Sequence, residues 1–235
     1  MPVHERVPAG RRDRLVLNFH GLGSVPNTVG AGERPFWCET DQFVSALDSI
    51  LALTQSTDLR IEITFDDGNA SDTEVALPLL RDRDLTASFF VCAGRIGEGG
   101  YLDAAAIREL AAAGMGIGSH GWSHVDWRAT DDETLAREID GAREVLAETL
   151  AAPVDEVAIP FGSYDRRVLN HVRRSGVRNA FTSDGGRAPR SGWMIPRECY
   201  TTAWTADTIP DLVHREPPLT ARLRRTVVGA VKRLR

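Results

Sequence analysis

The feature that most constrains this fold is a repeated change of period along the chain. Short runs rich in β-branched and aromatic residues alternate with segments whose apolar residues recur at helical spacing. Residues 15–19, 61–65, 86–92, 115–119, 157–161 and 180–183 read as strands. Between them, residues 40–53, 74–82, 104–113, 131–150 and 167–175 read as helices. Phe43, Leu47, Ile50 and Leu51 fall on one face of the first helix, and Pro78 should interrupt the second. Gly114 ends the third, and Asp131 caps the fourth. Such alternation implies parallel strands, because each connection must cross back over the sheet. A length of 235 residues suits one large α/β barrel-like domain as well as two small ones.

The site-like residues occupy one place in that pattern. His20, Asp66, Asp67, His120, Phe161 and Asp184 each stand at or just past the C-terminal end of an expected strand. In α/β barrels that rim is where the chemistry is assembled, so their convergence implies one shared pocket. In Thr64-Phe65-Asp66-Asp67-Gly68, two adjacent carboxylates would repel and lose hydration unless a cation or a shared proton compensates. A lone Asp-Gly would read as a turn or helix cap. Here a second motif, His120-Gly121-Trp122-Ser123-His124, adds two imidazoles at i and i+4, a spacing that can share one face of a helical turn. Two nitrogens and one carboxylate oxygen make the three-ligand, open-position set of a catalytic divalent metal. The remaining Asp is then free to act as a base, which implies a hydrolase. Glycines at 114, 116, 118 and 121 let the backbone approach a ligand closely. Ser119, Trp122 and Ser123 pack or hydrogen-bond behind it.

Other features set bounds. Ile159-Pro160-Phe161-Gly162 ends a strand in a sharp turn, and a backbone N–H near Phe161 could donate to an oxyanion. His20 either lines the pocket or is a hydrogen-bonded histidine at a strand end; His214 is either a general acid or a surface histidine. Cys38, Cys92 and Cys199 are odd in number and widely spaced, which suits reduced thiols rather than disulfides or a thiolate zinc site. A net charge of −5 argues against nucleic acid as a partner. Residues 1–14 lack the apolar core of a signal peptide, and no run suits a transmembrane helix, so a cytoplasmic location is expected. Residues 219–235 carry six Arg and Lys without an acid, and Leu223, Val227, Val231 and Leu234 share one helical face. Such a helix can lie peripherally on an anionic membrane or pack on the barrel. The expected division is an N-terminal extension 1–14, a domain 15–215 and a basic tail 216–235.

At these residues the chain resembles the NodB-type polysaccharide deacetylases, carbohydrate esterase family 4. Thr64 to Gly68 is similar to that family's T-F-D-D-G motif and His120 to His124 to its H-x-x-x-H. Ala87-Ser88-Phe89-Phe90-Val91 resembles its A-T-F-F-V strand. The resemblance implies a distorted (β/α)7 barrel and hydrolysis of an N-acetyl, sometimes O-acetyl, group on a sugar. It further implies Asp67, His120 and His124 as ligands of a divalent metal, with zinc the expected ion, and Asp66 as the catalytic base. Two motifs depart. The family's R-P-P-Y is Ala158-Ile159-Pro160-Phe161 here, so its Arg is absent, and Arg197 is expected to reach the same acid from a later strand. The L-x-H motif that carries the general acid has only Val213-His214 as its counterpart. The implied partner is an acetylated saccharide, an intermediate of cell-surface polysaccharide synthesis. The alternatives are hydrolysis of a non-sugar amide on the same scaffold, or an inactive glycan-binding module.

Overall fold

In the computed structural model the described residues are 13–27, 29–189, 192–214 and 231–232. The apolar runs become β1 (Arg14–Phe19), β2 (Arg60–Asp67), β3 (Ala87–Val91) and β4 (Gly116–Ser119). They continue as β5 (Glu156–Ala158), β6 (Asn179–Thr182), β7 (Met194–Pro196) and β8 (Glu198–Cys199). All pairings are parallel, in the order β7-β6-β5-β4-β3-β2-β1-β8. β7 and β8 stand at opposite ends of that order, yet Arg197 alone separates them in the chain. They are two halves of one extended run, the first paired with β6 and the second with β1. This shared run closes the sheet into a barrel. Counted once, it is the seventh stave, and the fold is the expected (β/α)7 barrel.

Around the sheet lie α1 (Thr40–Thr54), α2 (Leu77–Arg81), α3 (Ala104–Ala112), α4 (Asp132–Ala136), α5 (Ala142–Leu150), α6 (Arg166–Arg174) and α7 (Thr208–His214). Asp103, Asp131 and Asp165 cap α3, α4 and α6, accepting from the N–H of Ala106, Thr134 and Val168 at 2.8, 2.8 and 2.9 Å. α1 buries Phe43, Leu47, Ile50 and Leu53, while Leu51 is only half-buried.

Several sequence boundaries move, each for a physical reason. Pro78 does not break its helix. It sits early in α2, directly after the π-helical turn Asp72–Ala76, where the i→i−4 ladder is already interrupted. The long helix over 131–150 contains a π-helical turn, Arg137–Gly141, between α4 and α5. The strand expected over 157–161 stops at Ala158, because Pro160 has no ladder N–H and Phe161 is left-handed at φ 58°. The run 194–199 did not read as strand at all.

Outside the barrel, Phe65 of β2 stacks on Phe89 of β3 at 4.8 Å, and Phe19 of β1 meets Phe43 of α1 edge-on at 5.1 Å, binding sheet to helix. Inside, Val16, Phe90, Ala158, Phe181, Ala188 and Ile195 form an apolar plug. A Cβ on Gly118 would lie 2.4 Å from the Phe90 ring, so only glycine fits opposite it. Strand side chains alternate with a period of two. The next inward position above the plug is therefore Asn18 after Val16, Asp66 after Thr64, His120 after Gly118 and Arg197 after Ile195. An apolar floor thus carries a polar ring at the C-terminal rim.

The N-terminal extension and the basic tail lie outside the described residues, except for Asp13, Arg14, Val231 and Lys232. Among the described residues, no helix is long and apolar enough to cross a membrane.

Candidate metal centre and active site

Neighbouring strand residues normally face opposite ways, so Asp66 and Asp67 would not share a pocket. The left-handed backbone of Asp67, φ 79°, breaks that alternation at the end of β2. His120 Nε2 then lies 3.7 Å from Asp66 Oδ2 and 3.8 Å from Asp67 Oδ1, and His124 Nε2 lies 3.5 Å from Asp67 Oδ1. His124 is itself left-handed, φ 55°. The two histidines meet across an irregular loop rather than on a helical turn as the spacing suggested. Left-handed non-glycine backbone costs of order 1–3 kcal/mol and concentrates at functional sites.

The donor atoms of Asp67, His120 and His124 all lie within 4.8 Å of one another. Ligands bonded tetrahedrally at about 2.0–2.1 Å stand about 3.3 Å apart, close to the separations from Asp67 Oδ1. Among the described residues Asp67 Oδ1 is buried without a hydrogen-bond partner, the nearest cation being Arg95 Nη1 at 3.7 Å, a costly state that a bound cation would relieve. His120 Nδ1 lies 2.9 Å from the Ala158 carbonyl oxygen, to which it can only donate; this leaves the Nε2 lone pair facing the cluster. Burial, then repulsion from His120, lowers the pKa of His124 to about 4, which keeps its ring neutral and able to ligate. The residues fit a divalent cation.

Asp66 has a different environment. Arg197, fully buried at the seam between β7 and β8, donates Nη1 to Asp66 Oδ1 and Nη2 to Asp66 Oδ2, both at 2.7 Å. Asn18 Nδ2 also donates to Asp66 Oδ2, at 3.0 Å, and Asn18 Oδ1 accepts from Arg197 Nη1 and from the Thr64 hydroxyl, both at 2.8 Å. Burial alone would raise the pKa of Asp66. The Arg197 charge, helped by His120 and His20, overrides it and holds the carboxyl well below the usual range. Arg197 thus reaches the acid from the later strand, as the missing family arginine required.

Glu138 and Asn18 were missed by motif reasoning. Glu138, only 2% exposed, stands on the π-helical turn and accepts from Trp122 N–H at 2.9 Å, Ser123 N–H at 3.0 Å and Trp127 Nε1 at 3.4 Å. It therefore clamps the loop between the two histidines. A Cβ on Gly121, φ 85°, would lie 2.7 Å from the Glu138 carboxylate, which explains that glycine. The signal was present: Glu138 interrupts the apolar face formed by Leu135, Ile139, Ala142 and Leu146. Trp122 itself packs partly buried against the core.

The other rim residues divide. Phe161 is 62% exposed, and its ring centroid lies 4.6 Å from that of His124. His20 follows β1 directly, its Nδ1 buried and without a hydrogen-bond partner among the described residues; burial lowers its pKa, and the charges of Asp67 and Asp66 partly oppose this. His214 is exposed at the end of α7. Cys38 and Cys92 are buried and Cys199 half-buried, all as free thiols.

A parallel seven-stave barrel with a His-His-Asp donor set and an ion-paired second Asp at its rim is the architecture of a deacetylase-type hydrolase. The chain belongs to the polysaccharide deacetylase family, whose model matches residues 55–180, and is a hydrolase of the class that acts on non-peptide carbon–nitrogen bonds. It is 30% identical to a chitooligosaccharide deacetylase of Rhizobium leguminosarum bv. trifolii over 52% of this chain and 56% of that protein. It is 23% identical to YxkH of Bacillus subtilis over 76% of this chain and 67% of that protein. The chain thus spans between about half and two thirds of these relatives' lengths. In fold it matches the Streptococcus pyogenes deacetylase PplD, with a TM-score of 0.75 at 18% identity over 88% of this chain and 100% of that one. IcaB from Ammonifex degensii matches with a TM-score of 0.73 at 20% identity, over 87% of this chain and 98% of that one.

Proposed function

We propose that this chain removes N-acetyl groups from an acetylated hexosamine saccharide, an intermediate of cell-surface polysaccharide synthesis, and that it needs a divalent cation, zinc by donor chemistry. The observation that carries this reading is the convergence of Asp67, His120 and His124 on one point, beside an acid that Arg197 occupies instead. Similarity to a chitooligosaccharide deacetylase supports a hexosamine substrate.

A cation held by Asp67, His120 and His124 would supply Lewis acidity to the acetyl carbonyl and acidify a water. Asp66, ionised at any working pH, accepts the proton of the water that adds to the acetyl carbon. Its proton affinity is low, so it holds that proton only briefly. The left-handed turn at Phe161 presents a backbone N–H to the developing oxyanion, a donor type typically worth on the order of 10²–10³ in rate. When the C–N bond breaks, the departing amine takes up a proton and acetate is released. His20, half-buried in the field of the two carboxylates, suits that step better than the exposed His214, its neutral ring relaying to the amine the proton that Asp66 gives up. Arg197 orients Asp66 and keeps it charged.

The test is acetate release from N-acetylated hexosamine oligomers, free and lipid-carried, together with metal analysis of the purified chain. Asp66→Asn should retain metal and lose turnover, and His120→Ala should lose both. A fully active Asp66→Asn refutes the base assignment, and metal without acetate release points to another amide.

A further inference from the structure

Asp184 belongs to the rim series yet takes no part in the centre above. It forms one wall of a cation cage. Lys232 Nζ donates to Asp184 Oδ1 at 2.6 Å and to the Gly162 carbonyl oxygen at 2.9 Å, and lies 4.9 Å from the centroid of the Tyr164 ring. Tyr164 Oη and Thr182 Oγ1 donate to Asp184 Oδ2 at 2.6 and 3.0 Å, which fixes the carboxylate with Oδ1 turned to the cation. Tyr164 is only 1% exposed, so its ring is a rigid wall. Carboxylate, carbonyl and aromatic face together are the chemistry that recognises a primary ammonium. The cage adjoins the catalytic centre: Gly162 follows Phe161, whose ring rests on His124.

We propose that this cage is a subsite for the protonated amine of a hexosamine unit neighbouring the acetylated one, and that Lys232 fills it as an internal competitor. This assignment rests on the N-acetylhexosamine reading and names its preferred substrate, a saccharide already partly deacetylated. Every turnover creates such an amine, so the chain's own product carries the group the cage takes. Lys232 is displaceable, since its side chain is 28% exposed and a partly exposed ion pair stabilises weakly. An incoming amine meets the same three partners on the rim and replaces it charge for charge.

The experiment is titration calorimetry of the full chain with a glucosamine tetramer and with its fully N-acetylated counterpart, on wild type, Lys232→Ala and Asp184→Asn. Lys232→Ala should raise the preference for the glucosamine tetramer about tenfold, the scale of one cation–π plus charged contact. Asp184→Asn should abolish the preference. An unchanged preference in Lys232→Ala overturns the proposal, and that variant decides alone should Asp184→Asn fail to fold. Acetate release from the acetylated tetramer reports separately on the reaction. Release without any change of preference discards the cage and leaves the reaction standing. A changed preference without release leaves the amine subsite standing and discards the reaction.

Discussion

Replacing Arg197 by Met should leave a buried carboxylate with too few partners. Arg197 is fully buried and Asp66 is 2% exposed, and the pair is bidentate at 2.7 Å on both oxygens. With the guanidinium gone, Asn18 Nδ2 at 3.0 Å is the side-chain donor that remains. Removing one partner of a buried pair costs about 3–5 kcal/mol, whereas replacing both by neutral groups of similar volume is nearly neutral. The Met variant should therefore lose about that much, and Asp66→Asn/Arg197→Met should regain most of it. The pH dependence fixes the cause. In the native chain the pKa of Asp66 lies below its unfolded value of about 3.9, so its contribution is complete above about pH 4 and fades as acid passes the native value. Without Arg197, burial raises the native pKa above the unfolded one. Stability is then fullest below about pH 4 and declines as the pH rises. Urea midpoints of chelated protein at pH 5 and pH 8 read this directly, with the larger deficit at pH 8. A variant within about 1 kcal/mol of wild type, or a double variant no better than the single one, refutes the reasoning. Turnover should fall on the order of 10²-fold or more while zinc content holds, because the three ligands are untouched.

Glu138→Gln brings an amide N–H₂ among the N–H groups of Trp122, Ser123 and Trp127, and should weaken zinc binding about 10- to 100-fold. Competition against a chelating dye measures this, and an unaltered affinity would remove Glu138 as the clamp. Phe161→Gly accepts the φ of 58° without strain and gives up a mostly exposed ring. Its stability should hold or rise by about 1 kcal/mol, and turnover should persist because glycine keeps the backbone N–H of the turn; a clear loss of stability contradicts the strained-turn reading. His124 has its pKa lowered by burial to about 4, against 6.5 for the free side chain. Between those values the unfolded chain binds more protons, so the chelated protein should lose up to about 1.4 kcal/mol per pH unit on acidification through that window. His124→Asn should flatten that slope, and an unchanged slope would assign it to other groups.

How much was legible beforehand depended on distance along the chain. The rim acids and histidines could be read because each motif lies within five residues and its chemistry does not depend on the fold. Glu138 was written as an acid on an apolar helix face, but its partners lie 11 to 16 residues away, in a loop whose shape the sequence does not state. β7 and β8 escaped because Arg197 divides the run into three and two strand residues, too short for any period to register, and Pro196 within it reads as a breaker.

The sequence by itself determined the parallel strands and the donor types, since the switch between periods 2 and 3.6 is a local property that only crossover connections satisfy. Tertiary structure alone decided which strand edges meet at Arg197, and therefore which of two adjacent carboxylates takes its two-pronged guanidinium contact. It also decided that left-handed backbone at Asp67 and His124 turns their side chains inward. Those outcomes depend on closure and packing between residues far apart in the chain, as Asp66 and Arg197 are, and no local pattern encodes them.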